Sequence, residues 1–250
     1  MGFNLKGEAW VEWMMERTEE MLRVCKGLVA IVVEGYTKNF QYSGTPILLQ
    51  AEIIKRRYCL RKPMVYKRVG IPGSGGNDWV RNDWEFVICC TRERKKLPWS
   101  DQYACAKPWK YKPGGELSYR TKEGKRVYKR AISSPGNGDA KTTHPIRAYK
   151  TDTANPGNII DCGAVGGGRM GSNIAHENEA PFDDKLVDFF IRTFCPPNGI
   201  VLDPFCGSGT TIAGAIKTSR QYIGIDIRKS QIELTMRRIK QAKQRKGLGL

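Results

Sequence analysis

Short apolar runs alternate with longer amphipathic stretches along most of this 250-residue chain. The continuous apolar runs at 28–33 and 200–202 are typical of strands that are buried on both faces. Apolar residues at helical spacing predict helices over 7–26 and 228–246. Further elements are expected as helices over 46–57 and 211–216 and as strands over 64–68, 84–90 and 222–225. This mixture of helices and strands predicts an α/β fold.

The middle of the chain, 96–172, lacks this periodicity and is rich in Pro, Gly, Ser and Lys. Residues 101–150 hold 12 Lys/Arg against 4 Asp/Glu, a net charge of +8, with aromatic residues between the cations. Cations among aromatic side chains suit phosphates and unstacked bases, so this segment is a candidate nucleic-acid interface. A flexible, solvated insertion is the alternative interpretation.

Composition narrows the possible classes of protein. The net charge of +17 favours a polyanionic partner, although a ribosomal or membrane-surface protein can be equally basic. No apolar run approaches the ~18 residues of a membrane span, and the first residues do not resemble a signal peptide. The 8 cysteines lack a regular spacing, so we expect reduced thiols. The sequence has no C-x-x-C pair and only 2 histidines, so we expect no metal site.

The apolar run at 200–202 leads into a glycine-rich turn, a helix and a second strand that ends at Asp226. Such a turn brings a ligand close to the backbone, and Asp226 follows Gly207 by 19 residues, near the spacing at which an acid binds ribose hydroxyls in nucleotide-binding units. The turn has no Lys for a phosphate loop and no third glycine for a dinucleotide site. The stretch 166–171 matches G-x-G-x-x-G, but we expect no strand before it and interpret it as a false positive.

One stretch resembles the S-adenosylmethionine-binding motif of DNA amino-methyltransferases: Asp203-Pro204-Phe205-Cys206-Gly207-Ser208-Gly209-Thr210-Thr211. The likeness continues upstream in 180–191, where a helix covers one edge of the cofactor in this family, and downstream in 222–227. The resemblance implies S-adenosylmethionine as cofactor, with Gly207, Ser208 and Gly209 around the methionine moiety and Asp226 at the ribose. The cofactor residues that it implies are Ala180, Pro181, Phe182, Asp203, Pro204, Phe205, Gly207, Ser208, Gly209, Thr210, Asp226 and Ile227.

The family resemblance also implies a fold and a division of the chain. We expect a Rossmann-like methyltransferase sheet in circularly permuted order: a catalytic-side half over 1–95, a basic target-recognition insertion over 96–172 and a cofactor-binding half over 173–250. The segment 81–86 resembles the strand that borders the target base, or is an edge strand with a charged loop. The expected DNA contacts are Lys107, Trp109, Lys110, Lys112, Arg120, Lys125, Arg126, Lys129 and Arg130.

The implied reaction is site-specific methyl transfer from S-adenosylmethionine to adenine N6 or cytosine N4 in double-stranded DNA. The implied setting is the cytoplasm of a bacterial or phage-infected cell. A methyltransferase acting on RNA or protein is an alternative, but the basic, aromatic middle segment argues against a protein substrate. A binding module without turnover is a further alternative.

The family's catalytic motif, Asp/Asn/Ser-Pro-Pro-aromatic, is not found in the sequence. The stretch Cys195-Pro196-Pro197-Asn198 has two prolines but no aromatic residue. In the permuted order the motif is expected shortly before Gly2, so no catalytic residue is assigned. We expect the chain to be a fragment, the product of a misplaced start, or one subunit of a split enzyme whose other chain carries the motif.

Overall fold

The computed structural model describes residues 5–69, 75–108, 116–130, 153–164 and 183–247. It divides into two compact units, Met1–Ala104 with Gly157–Leu250, and Cys105–Pro156. The helices are α1 (Gly7–Val24), α2 (Thr45–Lys55), α3 (Asp184–Phe194), α4 (Thr210–Lys217) and α5 (Lys229–Gly247). The strands are β1 (Val29–Val33), β2 (Thr37–Lys38), β3 (Gln41–Tyr42), β4 (Cys59–Leu60), β5 (Met64–Val69), β6 (Trp84–Thr91), β7 (Lys107–Pro108), β8 (Glu116–Arg120), β9 (Arg126–Arg130), β10 (Thr153–Ala154), β11 (Ile159–Ala164), β12 (Ile200–Asp203) and β13 (Gln221–Gly224).

A five-stranded mixed sheet forms one half of the larger unit. Its strands lie in the order β1-β6-β5-β11, with β4 also paired to β6. Only β11 and β5 run parallel; the other pairs are antiparallel. Helices α1 and α2 cover one face through Val11, Met15, Leu49 and Ile53. Helix α3 covers the other face, so the sheet is buried on both sides.

A two-stranded parallel sheet, β12-β13, forms the other half of the larger unit. The Val201 side of β12 packs against Val187 and Ile191 of α3, and α4 and α5 pack with each other beside it. The opposite face is apolar and open to solvent, because its four side chains are 37% to 59% exposed: Ile200, Leu202, Ile223 and Ile225. Among the described residues no strand pairs with β12 apart from β13.

Two expectations about strands, and one of two alternatives left open, were wrong. The continuous apolar run at 28–33 predicts a central strand, but among the described residues β1 pairs only with β6 and ends the five-stranded order. One of the two interpretations of 81–86 was an edge strand with a charged loop. Strand β6 lies between β1 and β5, so it is an interior strand. Strand β11, which ends at Ala164, does precede the G-x-G-x-x-G match at 166–171, which itself lies outside the described residues. Strand burial and pairing depend on neighbours far along the chain, which local patterns do not report.

The smaller unit contains two pairs of antiparallel strands. Strands β8 and β9 form a hairpin whose turn is closed by the N–H of Thr121, which donates to the carbonyl of Lys125 at 2.9 Å. Strands β7 and β10 form a short second ladder. The functional boundaries proposed for the three segments, 1–95, 96–172 and 173–250, stay a prediction.

The contact between α3 and α4 generates a stability prediction at Gly214. A Cβ built on Gly214 would lie 2.4 Å from Cγ1 of Val187, a branched side chain with little freedom at χ1. We expect Gly214→Ala to lower the free energy of unfolding by about 1–3 kcal/mol through overpacking, although alanine is the better helix former. Chemical denaturation measures this change.

Two variants control the Gly214 experiment. Val187→Ala combined with Gly214→Ala should recover part of the loss, because it removes the clashing methyl groups and gives a favourable coupling term in a double-mutant cycle. Gly247→Ala should be nearly neutral, since a Cβ there meets open space. Equal stability of Gly214→Ala and the parent chain would contradict the packing argument.

Candidate cofactor and nucleic-acid sites

The glycine turn follows β12 and leads directly into α4. Gly207 and Gly209 have φ angles of 49° and 79°, in the left-handed region that favours glycine. Gly209 is also closely packed, because a Cβ on it would lie 3.0 Å from Oγ1 of Thr235 in α5. Thr235 Oγ1 donates to the carbonyl of Gly207 at 2.7 Å. The turn is therefore held in a buried conformation that glycine adopts most readily, next to the first residues of a helix, where backbone N–H groups suit a polar or anionic ligand group.

Asp226 lies beside this turn because β12 and β13 are parallel neighbours. The N–H of Gly207 donates to Asp226 Oδ2 at 3.1 Å, and the N–H of Arg228 donates to Asp226 Oδ1 at 2.9 Å. A carboxylate has about four acceptor positions, so two further hydrogen bonds to a ligand are compatible with this geometry. The structure thus brings together the two segments that the spacing of 19 residues had paired.

Asp203 holds the start of the turn. Its Oδ1 accepts from the N–H of Phe205 at 3.0 Å, and its carbonyl accepts from the N–H of Ile225 at 2.9 Å. Burial raises the pKa of Asp203; hydrogen bonds from the Thr211 side chain and the Phe205 N–H oppose this, and the nearby charge of Asp226 adds to it. These bonds fix the chain between the strand and the glycines, so Asp203 shapes the site from within.

Several buried polar atoms near the turn have no hydrogen-bond partner among the described residues. They include Ser208 Oγ, Gln231 Oε1 and Asp183 Oδ2. Buried polar groups are normally hydrogen-bonded, so these atoms can accept a hydrogen bond from water or from a polar ligand. Ser208 was predicted from the motif, whereas Asp183 and Gln231 were not.

Asp183 fixes the beginning of α3. Its Oδ1 accepts from the N–H of Lys185 at 2.7 Å as a helix cap, and its own N–H donates to the hydroxyl of Tyr66 at 3.3 Å. Burial is the main cause that raises the pKa of Tyr66 to about 12. The phenol therefore stays neutral near pH 7 and ties the large sheet to the start of α3.

Arg238 is a functional candidate that sequence reasoning missed. The many cations of 228–246 predict a packed helix with a solvated outer face, but Arg238 is buried. Its Nη2 donates to Asp184 Oδ1 at 2.9 Å and its Nη1 donates to Thr210 Oγ1 at 3.0 Å. Burial lowers the pKa of Arg238 and raises that of Asp184, and the attraction between them opposes both changes. A run of cations gives no sequence signal for the one that turns inward.

The remaining predicted cofactor residues differ in their placement. Thr210 begins α4 and is buried, Phe205 is half-exposed with its ring centroid 6.1 Å from that of Trp13, and Ile227 is exposed. Pro204 lies between Asp203 and Phe205 in the turn. Ala180, Pro181 and Phe182 lie outside the described residues.

The predicted DNA contacts belong to the smaller unit. Lys107, Arg120, Lys125 and Arg126 are exposed, and Arg120 and Arg126 face each other across the β8-β9 hairpin. Trp109, Lys110 and Lys112 lie outside the described residues, as do the side chains of Lys129 and Arg130. The hairpin therefore presents clustered cations to solvent.

Other kinds of site find little support in the described ranges. There, no group of three or more His, Cys, Asp or Glu side chains is arranged to hold a metal ion. No helix in the same ranges has the length and apolar character needed to cross a membrane. None of the eight cysteines forms a disulfide.

Comparison with known proteins decides the family. The family model described as DNA methylase (N6_N4_Mtase) matches residues 2–237. The chain belongs to this DNA methylase family.

The type II methyltransferase M.ScaI of Streptomyces caespitosus is 31% identical over 86 residues, which are 34% of this chain and 28% of that protein. The DNA adenine methyltransferase YhdJ of Escherichia coli (strain K12) is 41% identical over 64 residues, 26% of this chain and 21% of that protein. These alignments span less than a third of either relative.

Solved structures support the same fold for the DNA methylase chain. The PvuII DNA methyltransferase, described as cytosine-N4-specific, matches 97% of this chain and 78% of its own with a TM-score of 0.63 and 14% identity. The M1.HpyAVI complex with SAM matches 92% of this chain and 81% of its own with a TM-score of 0.52 and 15% identity. The fold is that of S-adenosylmethionine-dependent methyltransferases, as the sequence predicted; the circularly permuted order stays a prediction.

Proposed function

We propose that this protein methylates DNA at an exocyclic amino nitrogen, adenine N6 or cytosine N4, using S-adenosylmethionine. The observation that carries the proposal is the glycine turn with Asp226 hydrogen-bonded to Gly207, in a chain of the DNA methylase family. The proposed setting is the cytoplasm of a bacterial or phage-infected cell. The basic β8-β9 hairpin supports a nucleic-acid substrate.

The residues present fit the proposed cofactor. Asp226 retains acceptor positions for ribose hydroxyls, Ser208 Oγ is buried without a partner among the described residues, and two glycines of the turn have positive φ angles. When bound, S-adenosylmethionine supplies a methyl group activated by its sulfonium. The chain's contribution is to hold and orient that group towards the amino nitrogen, and positioning of this kind provides much of the rate enhancement in displacement reactions.

The acceptor of the base's amino hydrogens is not assigned within this sequence. The sequence contains no Asp/Asn/Ser-Pro-Pro-aromatic motif. We propose that a separate chain carrying this motif completes the site by adding a strand beside β12. The support is the apolar face of Ile200, Leu202, Ile223 and Ile225, together with an edge of β12 that has no strand partner among the described residues.

The cofactor assignment predicts the effect of Asp226→Asn. The variant keeps an oxygen for the Gly207 N–H but loses the charge and one acceptor, so we expect S-adenosylmethionine affinity to fall by about 1–3 kcal/mol. Isothermal titration calorimetry measures the affinity, and urea denaturation checks the fold. Glu233→Gln removes a carboxylate from an exposed position of α5 and should have no effect. Unchanged affinity of a folded Asp226→Asn protein would reject the assignment.

The DNA assignment predicts the salt dependence of binding. Each phosphate contact contributes about 0.9 to the slope of log affinity against log salt, so Lys125→Ala with Arg126→Ala should reduce the slope by about 2. Fluorescence anisotropy with a labelled duplex over a salt series measures it. Arg23→Ala removes an exposed cation that is paired with Glu20 on α1 and should leave the slope unchanged. Equal slopes for the hairpin variant and the parent would place the DNA contacts elsewhere.

Strand addition is tested with a peptide that has an apolar β-strand sequence followed by Asp-Pro-Pro-Tyr. We expect this peptide to slow hydrogen exchange at the backbone amides of β12 and to raise transfer of labelled methyl groups to DNA above a negligible level in the chain alone.

Two controls separate docking from chemistry in this experiment. A peptide ending in Ala-Pro-Pro-Tyr should protect β12 equally but give no transfer. Leu202→Lys should abolish protection, because it places a charge on the half-exposed apolar face. Strong methyl transfer by the chain without any peptide would show that another group accepts the amino hydrogens.

A further inference from the structure

Two exposed aromatic side chains, Phe40 and Trp79, meet on the larger unit. Phe40 is 72% exposed and Trp79 is 40% exposed. Their ring centroids lie 6.1 Å apart with an interplanar angle of 75°, an edge-to-face pair. Neither ring belongs to the apolar clusters that form the core. Core packing therefore does not explain why these two rings are here.

The β2-β3 hairpin places Phe40 in an unfavourable backbone conformation. Its two turn residues, Asn39 and Phe40, have φ angles of 50° and 62°. Both angles are typical of the tight hairpin turn that prefers Asn followed by Gly, and a bulky residue in the second position is an outlier. A backbone outlier of this kind is a reason to look for a function of the side chain.

The base of the hairpin is anchored at several points. Tyr42 Oη donates to Glu34 Oε1 at 2.8 Å, and the N–H of Ser43 donates to the carbonyl of Tyr36 at 2.9 Å. The ring of Tyr42 lies against Gly35, where a built Cβ would come within 2.5 Å of it. The tip of the hairpin is thus held in a defined position.

Trp79 is positioned by a different segment. The N–H of Gly76 donates to the carbonyl of Trp79 at 3.1 Å, and a Cβ on Gly76 would lie 2.4 Å from the indole ring. The β2-β3 hairpin and the loop around 76–79 therefore each contribute one ring to a pair of exposed rings.

The hairpin that carries Phe40 and the glycine turn both follow strands of the larger unit, β1 and β12. A Cβ built on Gly27, just before β1, would lie 3.9 Å from the carbonyl oxygen of Phe194, at the end of α3. Val32, near the end of β1, packs in the cluster that contains Leu186, near the start of α3. Strand β1 therefore lies close to α3. It leads to the hairpin that carries Phe40, whereas β12, which follows α3, leads to the glycine turn.

We propose that the Phe40–Trp79 pair is a stacking platform for an unpaired base of the DNA substrate; this inference rests on the proposed function. Aromatic rings bind bases of any sequence through their faces, and an exposed cation two residues before Phe40, Lys38, suits a phosphate. The net charge of +17 favours a nucleic acid over a typical protein surface as the occupant.

The test exploits the positive φ of Phe40. Phe40→Gly removes the ring and relieves the backbone, so thermal stability should be unchanged or higher while DNA binding weakens. We expect about a tenfold loss of affinity for a fluorescein-labelled single strand, and a smaller loss for its fully paired duplex. The factor should be the same at about 50 mM and about 200 mM salt, since stacking releases no counterions. Fluorescence anisotropy measures all four affinities.

Conservative variants define what overturns the proposal. Phe40→Tyr should bind like the parent, because it keeps the ring, whereas Phe40→Leu should bind like Phe40→Gly. Parent-like binding by Phe40→Gly or Phe40→Leu, or a loss that changes with salt, would overturn the stacking platform alone. Failure of the parent chain to bind either oligonucleotide would overturn the proposed DNA substrate and this inference with it.

Discussion

The buried guanidinium of Arg238 links three helices around the candidate cofactor site. It comes from α5 and hydrogen-bonds to Asp184 and Thr210, the first residues of α3 and α4. A buried charge is tolerated only when it is paired and hydrogen-bonded, so these elements are held in a fixed arrangement. The glycine turn ends directly before Thr210, and its shape therefore depends on this contact as much as on its own glycines.

The two sheets of the larger unit differ in how completely they are covered. The five-stranded sheet has helices on both faces, whereas β12-β13 has helices on one face and four apolar side chains exposed on the other. Exposed apolar surface at an unpaired strand edge is a docking site for another strand. The same half carries the glycine turn and Asp226, so a strand added there would place new side chains next to the cofactor residues.

The exposed cations and the exposed aromatic rings suit different parts of a nucleic acid. The cations of the β8-β9 hairpin suit phosphates, and the Phe40–Trp79 pair suits a base. Phosphate contacts position a nucleic acid without reading its sequence, whereas chemistry on a base requires that it leave the stack. Cations and rings thus suit two different requirements of the proposed reaction.

Local sequence determined the parts of this protein that depend on neighbours in the chain. The glycines of the turn, the strand before them and Asp226 at the right spacing predicted a contact that the structure contains, because parallel strands align their carboxyl ends. The helices were predicted to within a few residues, because an apolar stripe at helical spacing is a local signal. Tertiary structure alone decided that β1 ends its sheet, that β6 lies inside it and that Arg238 turns inward. Those outcomes depend on partners far away in the sequence: the free energy of a buried strand or charge is set by what packs against it, and no local pattern records that.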